Sequence, residues 1–168
     1  MIGKILDRLY KKGVVEDAEA HCDYPCGIYD PYIMQYCAHT VVRMVDLINS
    51  MEVPKEGGEE FVEYVHNMTR AVQIKEEYAE KCKHEIRILW GDYFKQEHLK
   101  SFPELHQLVF DALHLASKAK QTSSKENAVA LLEATWKIAE IFWKSKNIES
   151  VKVDAPYPTK MKIVVPKF

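Results

Sequence analysis

The sequence predicts an all-α fold, an antiparallel four-helix bundle, flanked at both ends by segments that are not helical. Three observations predict it. Apolar residues recur at three- and four-residue steps over four successive stretches. Short connections bearing proline, glycine or serine separate those stretches. Outside them the periodicity breaks, into a cysteine-bearing loop before the helices and an extended arm after them. A chain of 168 residues is long enough to bury a core as one domain.

The first twenty residues carry a short apolar stripe, Ile2, Ile5, Leu6 and Leu9, interrupted by Lys4, Asp7, Arg8, Lys11 and Lys12. A secretory signal needs an unbroken apolar run of about 7–15 residues, so this segment does not read as an export signal. Next comes His21-Cys22-Asp23-Tyr24-Pro25-Cys26-Gly27-Ile28-Tyr29-Asp30-Pro31. The run packs an imidazole, two thiols, a carboxylate, two prolines and a glycine together, and is too short and too broken to be a helix or a strand. It reads as a loop that gathers soft ligands around one ion, an N-terminal metal-binding hook.

Pro31 suits the first turn of a helix, with Asp30 as its N-cap. Ile33, Tyr36, Cys37, Thr40, Val41, Met44, Ile48 and Met51 form the first stripe, ended by Pro54 and Gly57-Gly58. The second and longest runs through Phe61, Tyr64, Val65, Met68, Val72, Ala79, Cys82, Ile86, Leu89 and Trp90, as far as Tyr93. Ser101 and Pro103 open the third, with Leu105, Leu108, Val109, Ala112, Leu115 and Ala116 on its apolar face. Ser123-Ser124-Lys125-Glu126 fits a capping box ahead of the fourth, which carries Leu131, Leu132, Thr135, Ile138, Ala139, Phe142 and Trp143. From Ile148 onward Val151, Val153, Met161, Ile163 and Val165 alternate with polar residues, and Pro156, Pro158 and Pro166 exclude helix. That pattern predicts an extended arm lying on the bundle or on a neighbouring subunit.

Charge and cysteine usage narrow the function. The 23 basic and 25 acidic residues leave a formal charge of −2, which points to no nucleic acid and no anionic membrane as partner. No apolar run approaches the roughly 20 residues needed to span a bilayer. Cys22, Cys26, Cys37 and Cys82 fit reduced thiols in a cytoplasmic protein better than a disulfide framework.

The hook resembles that of the nickel superoxide dismutases, whose pattern H-C-D-x-P-C-G-x-Y-D-P is matched at every fixed letter. Ile74-Lys75-Glu76-Glu77, Leu89-Trp90-Gly91-Asp92-Tyr93-Phe94-Lys95, Pro103-Glu104-Leu105-His106-Gln107-Leu108-Val109 and Ile141-Phe142-Trp143 resemble later segments of the same family, in the same order. The likeness covers about His21 to Lys146. It implies three parts: a leader over 1–20 removed on maturation, a nickel-hook and helix-bundle domain over 21–147, and a tail over 148–168. It also implies one nickel ion per subunit, held by His21, Cys22 and Cys26 and cycling between Ni(II) and Ni(III) as superoxide becomes oxygen and hydrogen peroxide.

In the family the plane around nickel includes the amine of the first histidine. His21 has no free amine while Ala20 is joined to it, so the resemblance implies a precursor and a maturation protease that cuts between Ala20 and His21. Asp23, Tyr29 and Tyr93 match family positions beside the metal, Tyr29 as the hydroxyl that holds superoxide or peroxide and Asp23 as the group that orders the loop. Lys95 reads as a solvated surface lysine, with capture of an anion as the alternative. Assembly as a homohexamer is likewise implied by the resemblance alone.

The family's glutamate that braces the axial imidazole falls at Cys37, and its arginine partner at Tyr78; His39 or the Tyr78 hydroxyl are the candidates to replace them. Cys37 and Cys82 otherwise read as small buried core residues. Two competing functions remain. A dithiol redox pair is disfavoured because Cys22 and Cys26 are spaced C-x-x-x-C with no surrounding βαβ pattern. A nickel or copper carrier would use the same ligands but leaves Tyr29 and the compact Pro-Gly turn without a purpose.

Overall fold

The structure, a computed structural model, describes residues 27–55 and 57–167. It is mostly helical. Helix α1 spans Tyr32–Ser50, α2 Glu59–Ile88, the short α3 Gln96–Ser101, α4 Leu105–Gln121 and α5 Lys125–Ser145; strands β1 (Ser150–Asp154) and β2 (Lys162–Pro166) follow. The four long helices close a ring of contacts, α1 packing on α2 and α5, and α4 on the same two. The core between them is built from aliphatic and small side chains, among them Met34, Val41, Val42 and Val45 of α1, Ile86 of α2, Leu105 of α4, and Leu131, Leu132, Ile138 and Phe142 of α5.

Each helix end has a local cause. The Asp30 carboxylate accepts the Tyr32 N–H at 2.6 Å, but from one residue earlier than expected: Pro31, expected in the first turn, is itself the N-cap of α1. Gly58 precedes α2 at φ +119°, a backbone angle that side chains rarely allow. Beyond Ile88, α2 widens into a π turn over Leu89–Tyr93, in which the Phe94 N–H reaches back to the Leu89 carbonyl. The expected capping box of α5 is only half formed. Ser124, one residue later than predicted, caps with its hydroxyl on the Asn127 N–H, so the third helical position is Asn127 and Glu126 has no reciprocal partner. Ser101 closes α3 rather than opening the next helix, and Pro103 lies in the turn before α4.

The far end of α4 is capped from across the molecule. Lys75 of α2 is buried, and its ammonium donates to the Lys120 and Thr122 carbonyls, both at 2.7 Å. Those groups lie where a helix leaves its last carbonyls unpaired and where its dipole favours a cation.

The arm does not stay single. Lys146 and Asn147 end α5 with Asn147 at φ +58°; Asn147 and Ile148 donate back to the Lys144 and Trp143 carbonyls. The chain then folds into an antiparallel hairpin with Val151 opposite Val165 and Val153 opposite Ile163. The hairpin packs on α5 and is fastened to α1 by two buried side chains. The Gln35 amide pairs with the Val164 peptide in both directions, accepting its N–H at 2.8 Å and donating to its carbonyl at 3.0 Å. His39 meets Thr159 Oγ1 at 2.9 Å and the Lys162 carbonyl at 3.1 Å. Because a carbonyl only accepts, Nε2 carries the proton and Nδ1 accepts from the threonine hydroxyl.

This docking corrects the first apolar stripe. Ile33 and Tyr36 were expected inside but are 49% and 41% exposed, whereas Gln35, Ala38, His39, Val42 and Val45 are buried. A helix covered by a hairpin as well as by a core buries a wider and rotated face.

Two measurements check the fastening. Gln35→Ala leaves the Val164 N–H and carbonyl without partners, and is expected to lower unfolding stability by about 1–3 kcal/mol in urea melts. Burial lowers the His39 pKa, so the unfolded chain takes up the proton first. The His39 contribution is therefore complete above the ordinary histidine value of about 6.5 and is lost as pH falls through the depressed folded value. Thermal melts between pH 7 and about pH 5 are expected to lose stability, and His39→Ala to flatten that slope.

Candidate functional site

The residues expected to hold metal, His21, Cys22 and Cys26, lie outside the described residues, as do Asp23 and the Ala20–His21 bond. The described residues begin directly after Cys26. Gly27 adopts φ +86°, the conformation for which a glycine in this loop is suited, and turns the chain toward α1. Two residues later the Tyr29 ring meets Tyr93, with centroids 5.6 Å apart and planes inclined by 54°. Two tyrosines chosen from the sequence, 64 positions apart, thus lie side by side where the hook joins the helices.

The elements around Tyr93 explain its position. The π turn at the end of α2 delivers it, and α3 stacks His98 on it at 5.4 Å with planes 11° apart. Phe94 and Phe142 pack edgewise or tilted at 5.1 and 4.6 Å. The Lys146 ammonium sits 5.1 Å from the ring centroid, a cation–π distance. The Tyr93 hydroxyl lies 2.6 Å from Ser145 Oγ. Gly27, Tyr29, Asp92, Tyr93, Lys95, Glu97 and His98 line a cavity of about 470 Å³. His98 and Ser145 were not singled out in the sequence. A histidine in a six-residue helix after a proline-free turn carries no spacing signal, and a serine near a helix end reads as surface.

Lys95 is exposed, and its wall also bears Asp92 and Glu97, so the cavity is not uniformly cationic. The Lys95 N–H donates to His98 Nδ1 at 3.0 Å, which leaves Nε2 as the protonated nitrogen of the neutral ring.

The residues at the positions of the altered bracing pair separate clearly. Cys37 is buried with its thiol pushed up to about 11, first by burial and then by Glu85, so it is a neutral core thiol at pH 7. Cys82 is likewise buried and raised, and its thiol donates to the Met34 carbonyl at 3.3 Å. His39 cannot orient an imidazole in the hook, because both of its ring nitrogens serve the hairpin. Tyr78 is half-buried beside Tyr36, ring centroids 6.0 Å apart, with the Lys81 ammonium 4.7 Å over its ring. Among the described residues no group of three or more histidine, cysteine, aspartate or glutamate side chains is placed to hold a metal ion, and no helix is long and apolar enough to cross a membrane.

Comparison with known proteins gives one consistent answer. The family model for nickel-containing superoxide dismutase matches residues 16–146. The nickel superoxide dismutase of Streptomyces coelicolor is 37% identical over 142 residues, which is 84% of this chain and 98% of that protein. The corresponding protein of Streptomyces seoulensis is 35% identical over the same shares. A native nickel superoxide dismutase structure superposes with a TM-score of 0.65 at 38% identity, covering 75% of this chain and 99% of its own. A structure with nickel ligation corresponding to the oxidised state gives a TM-score of 0.65 at 35% identity, covering 76% and 99%. A family model spanning most of the chain, relatives matched over nearly their whole length and the shared fold together place this chain in the nickel-containing superoxide dismutase family.

Proposed function

We propose that this chain is the precursor of a nickel-dependent superoxide dismutase, an oxidoreductase whose ligands are the His21 amine and imidazole, the Cys22 amide nitrogen and thiolate, and the Cys26 thiolate. The observation that carries the reading is the Tyr29–Tyr93 pair at the exit of a fully matched hook, on a chain of this family. The donor set suits nickel: two thiolates and an anionic amide are strong donors that bring the higher oxidation state within reach. When bound, the ion supplies a one-electron acceptor that is also a one-electron donor.

The remaining work falls to the protein. Two superoxide anions and two protons give one oxygen and one hydrogen peroxide, so the site must admit an anion, keep it near the hook and release a neutral product. Tyr29 holds superoxide or peroxide through its hydroxyl, Asp23 orders the loop, and Tyr93 stands at the entrance. Cutting before His21 frees the amine, which makes the leader a safeguard against premature assembly of the ligand plane. The ring of contacts among α1, α2, α4 and α5 supports the antiparallel four-helix bundle of the family. Phe61, Val62 and Val65, exposed on the first turns of α2, support burial of this end of the molecule in a homohexamer. Such a protein would work in the cytoplasm, where the thiols stay reduced until nickel arrives.

The test compares the full-length chain with one beginning at His21, both loaded with Ni(II) under reducing conditions, by pulse radiolysis of superoxide. Rapid decay is expected for the trimmed chain, and none beyond the spontaneous rate for the uncut one. Nickel binding without dismutation would favour a carrier instead. In the same assay Cys37→Ala is expected to keep its rate within about twofold while losing roughly 1 kcal/mol of stability, since its thiol only fills the core.

A further inference from the structure

The hydroxyl of Tyr93 has a fixed direction, set by proton counting. Ser145 Oγ lies 2.7 Å from the Phe142 carbonyl and 2.6 Å from the Tyr93 oxygen. A carbonyl has no proton to give, so the single hydroxyl proton of Ser145 goes to Phe142. The serine can then only accept from the tyrosine, and the Tyr93 proton points at Ser145. Neither Ser145 nor Phe142 lines the cavity that Tyr93 does. Tyr93 itself lines it, and the one thing its oxygen has left to offer is a lone pair.

We propose that Ser145 is a positioning residue that makes Tyr93 a hydrogen-bond acceptor toward the cavity. This rests on the function proposed above and assigns Tyr93 a narrower part in it. A phenol that only accepts offers nothing to superoxide, which has no proton to donate. It offers a partner to molecules that carry one: water, the hydroperoxyl form and hydrogen peroxide. Tyr93 therefore recognises the protonated side of the reaction, and protons reach the second superoxide from elsewhere. The rest of the surroundings hold the ring in this pose. His98 stacks on it, Phe142 packs against it, and Lys146, the residue after Ser145, lies within cation–π distance of it. The last turn of α5 thus supplies the acceptor, an aromatic wall and the cation to one ring.

The experiment has one readout that needs no nickel and one that does. Ultraviolet resonance Raman spectra of the full metal-free chain and its Tyr93→Phe variant yield a difference spectrum for Tyr93 alone. Its tyrosine doublet is expected to report a donating phenol, to change in Ser145→Ala and to return in Ser145→Thr. In the nickel-loaded chain beginning at His21, Ser145→Ala is expected to slow turnover at saturating superoxide and shift its pH profile. The same loss is expected from Tyr93→Phe, with no further loss in the double variant. Ser145→Thr is expected to restore both. A Tyr93 doublet of an acceptor in the unaltered chain, or a Ser145→Ala variant with unchanged doublet and pH profile, would overturn the assignment. A donating doublet in a chain that never dismutates superoxide would instead overturn the proposed function and, with it, any part for Tyr93 in that reaction.

Discussion

The close packing around α5 is the constraint on which the other features depend. Ten of its residues are buried, and it is in contact with α1, with α4 and with both strands of the hairpin. A helix so enclosed has almost no freedom to slide, because interiors packed at crystal-like density do not deform smoothly. Its C-terminal turn is fixed as a consequence. That turn carries Phe142, Ser145 and Lys146, which meet Tyr93, and Tyr93 in turn meets Tyr29 at the exit of the hook. Tyr29, close to the first described residue, is thereby set against a surface whose position the core decides.

Much of this could be read in the sequence, for reasons that differ from element to element. The four long helices were legible because a 3.6-residue period over many turns is a strong signal. The hook, whose residues 21–26 lie outside the described ones, was picked out because its residue types are rare in combination. Tyr29 and Tyr93 were legible through the resemblance, and their contact follows from the fold. The π turn was not, since one extra residue in a helix leaves no compositional mark. Nor was the rotation of α1, because Gln35 and His39 look like surface residues until something is found to cover them. His98 and Ser145 escaped for a related reason: their partners are distant in the chain or lie on the backbone, and neither relation shows as a spacing.

Three of the four polar residues that are buried among the described residues share one logic; the fourth, Thr135, bonds within its own helix to the Leu132 carbonyl. Lys75, Gln35 and His39 each direct their polar atoms to backbone groups, or to one backbone group and one hydroxyl, of an element far away in sequence. None is left with an unmet polar atom, which is the condition under which burial of such groups is tolerated. Each also specifies a single arrangement, since a carbonyl or an N–H displaced by a residue would find no partner. Apolar packing holds the helices together, and these few bonds fix how the ends are joined.

The hairpin lies beyond the 16–146 stretch shared with the family, yet it rests on a helix within that stretch. On the helix side its anchors are an amide, an imidazole and, at the rim, the Tyr32 hydroxyl 3.0 Å from that of Tyr157. All three are groups that water solvates readily. Beneath these anchors the hairpin also seals: Val164 belongs to the same apolar core as Leu131 and Phe142, and Ile163 and Ala155 are buried too. The C-terminal hairpin is therefore a stopper with a keyed rim, polar bonds fixing where it sits and aliphatic side chains finishing a core that would otherwise open to water.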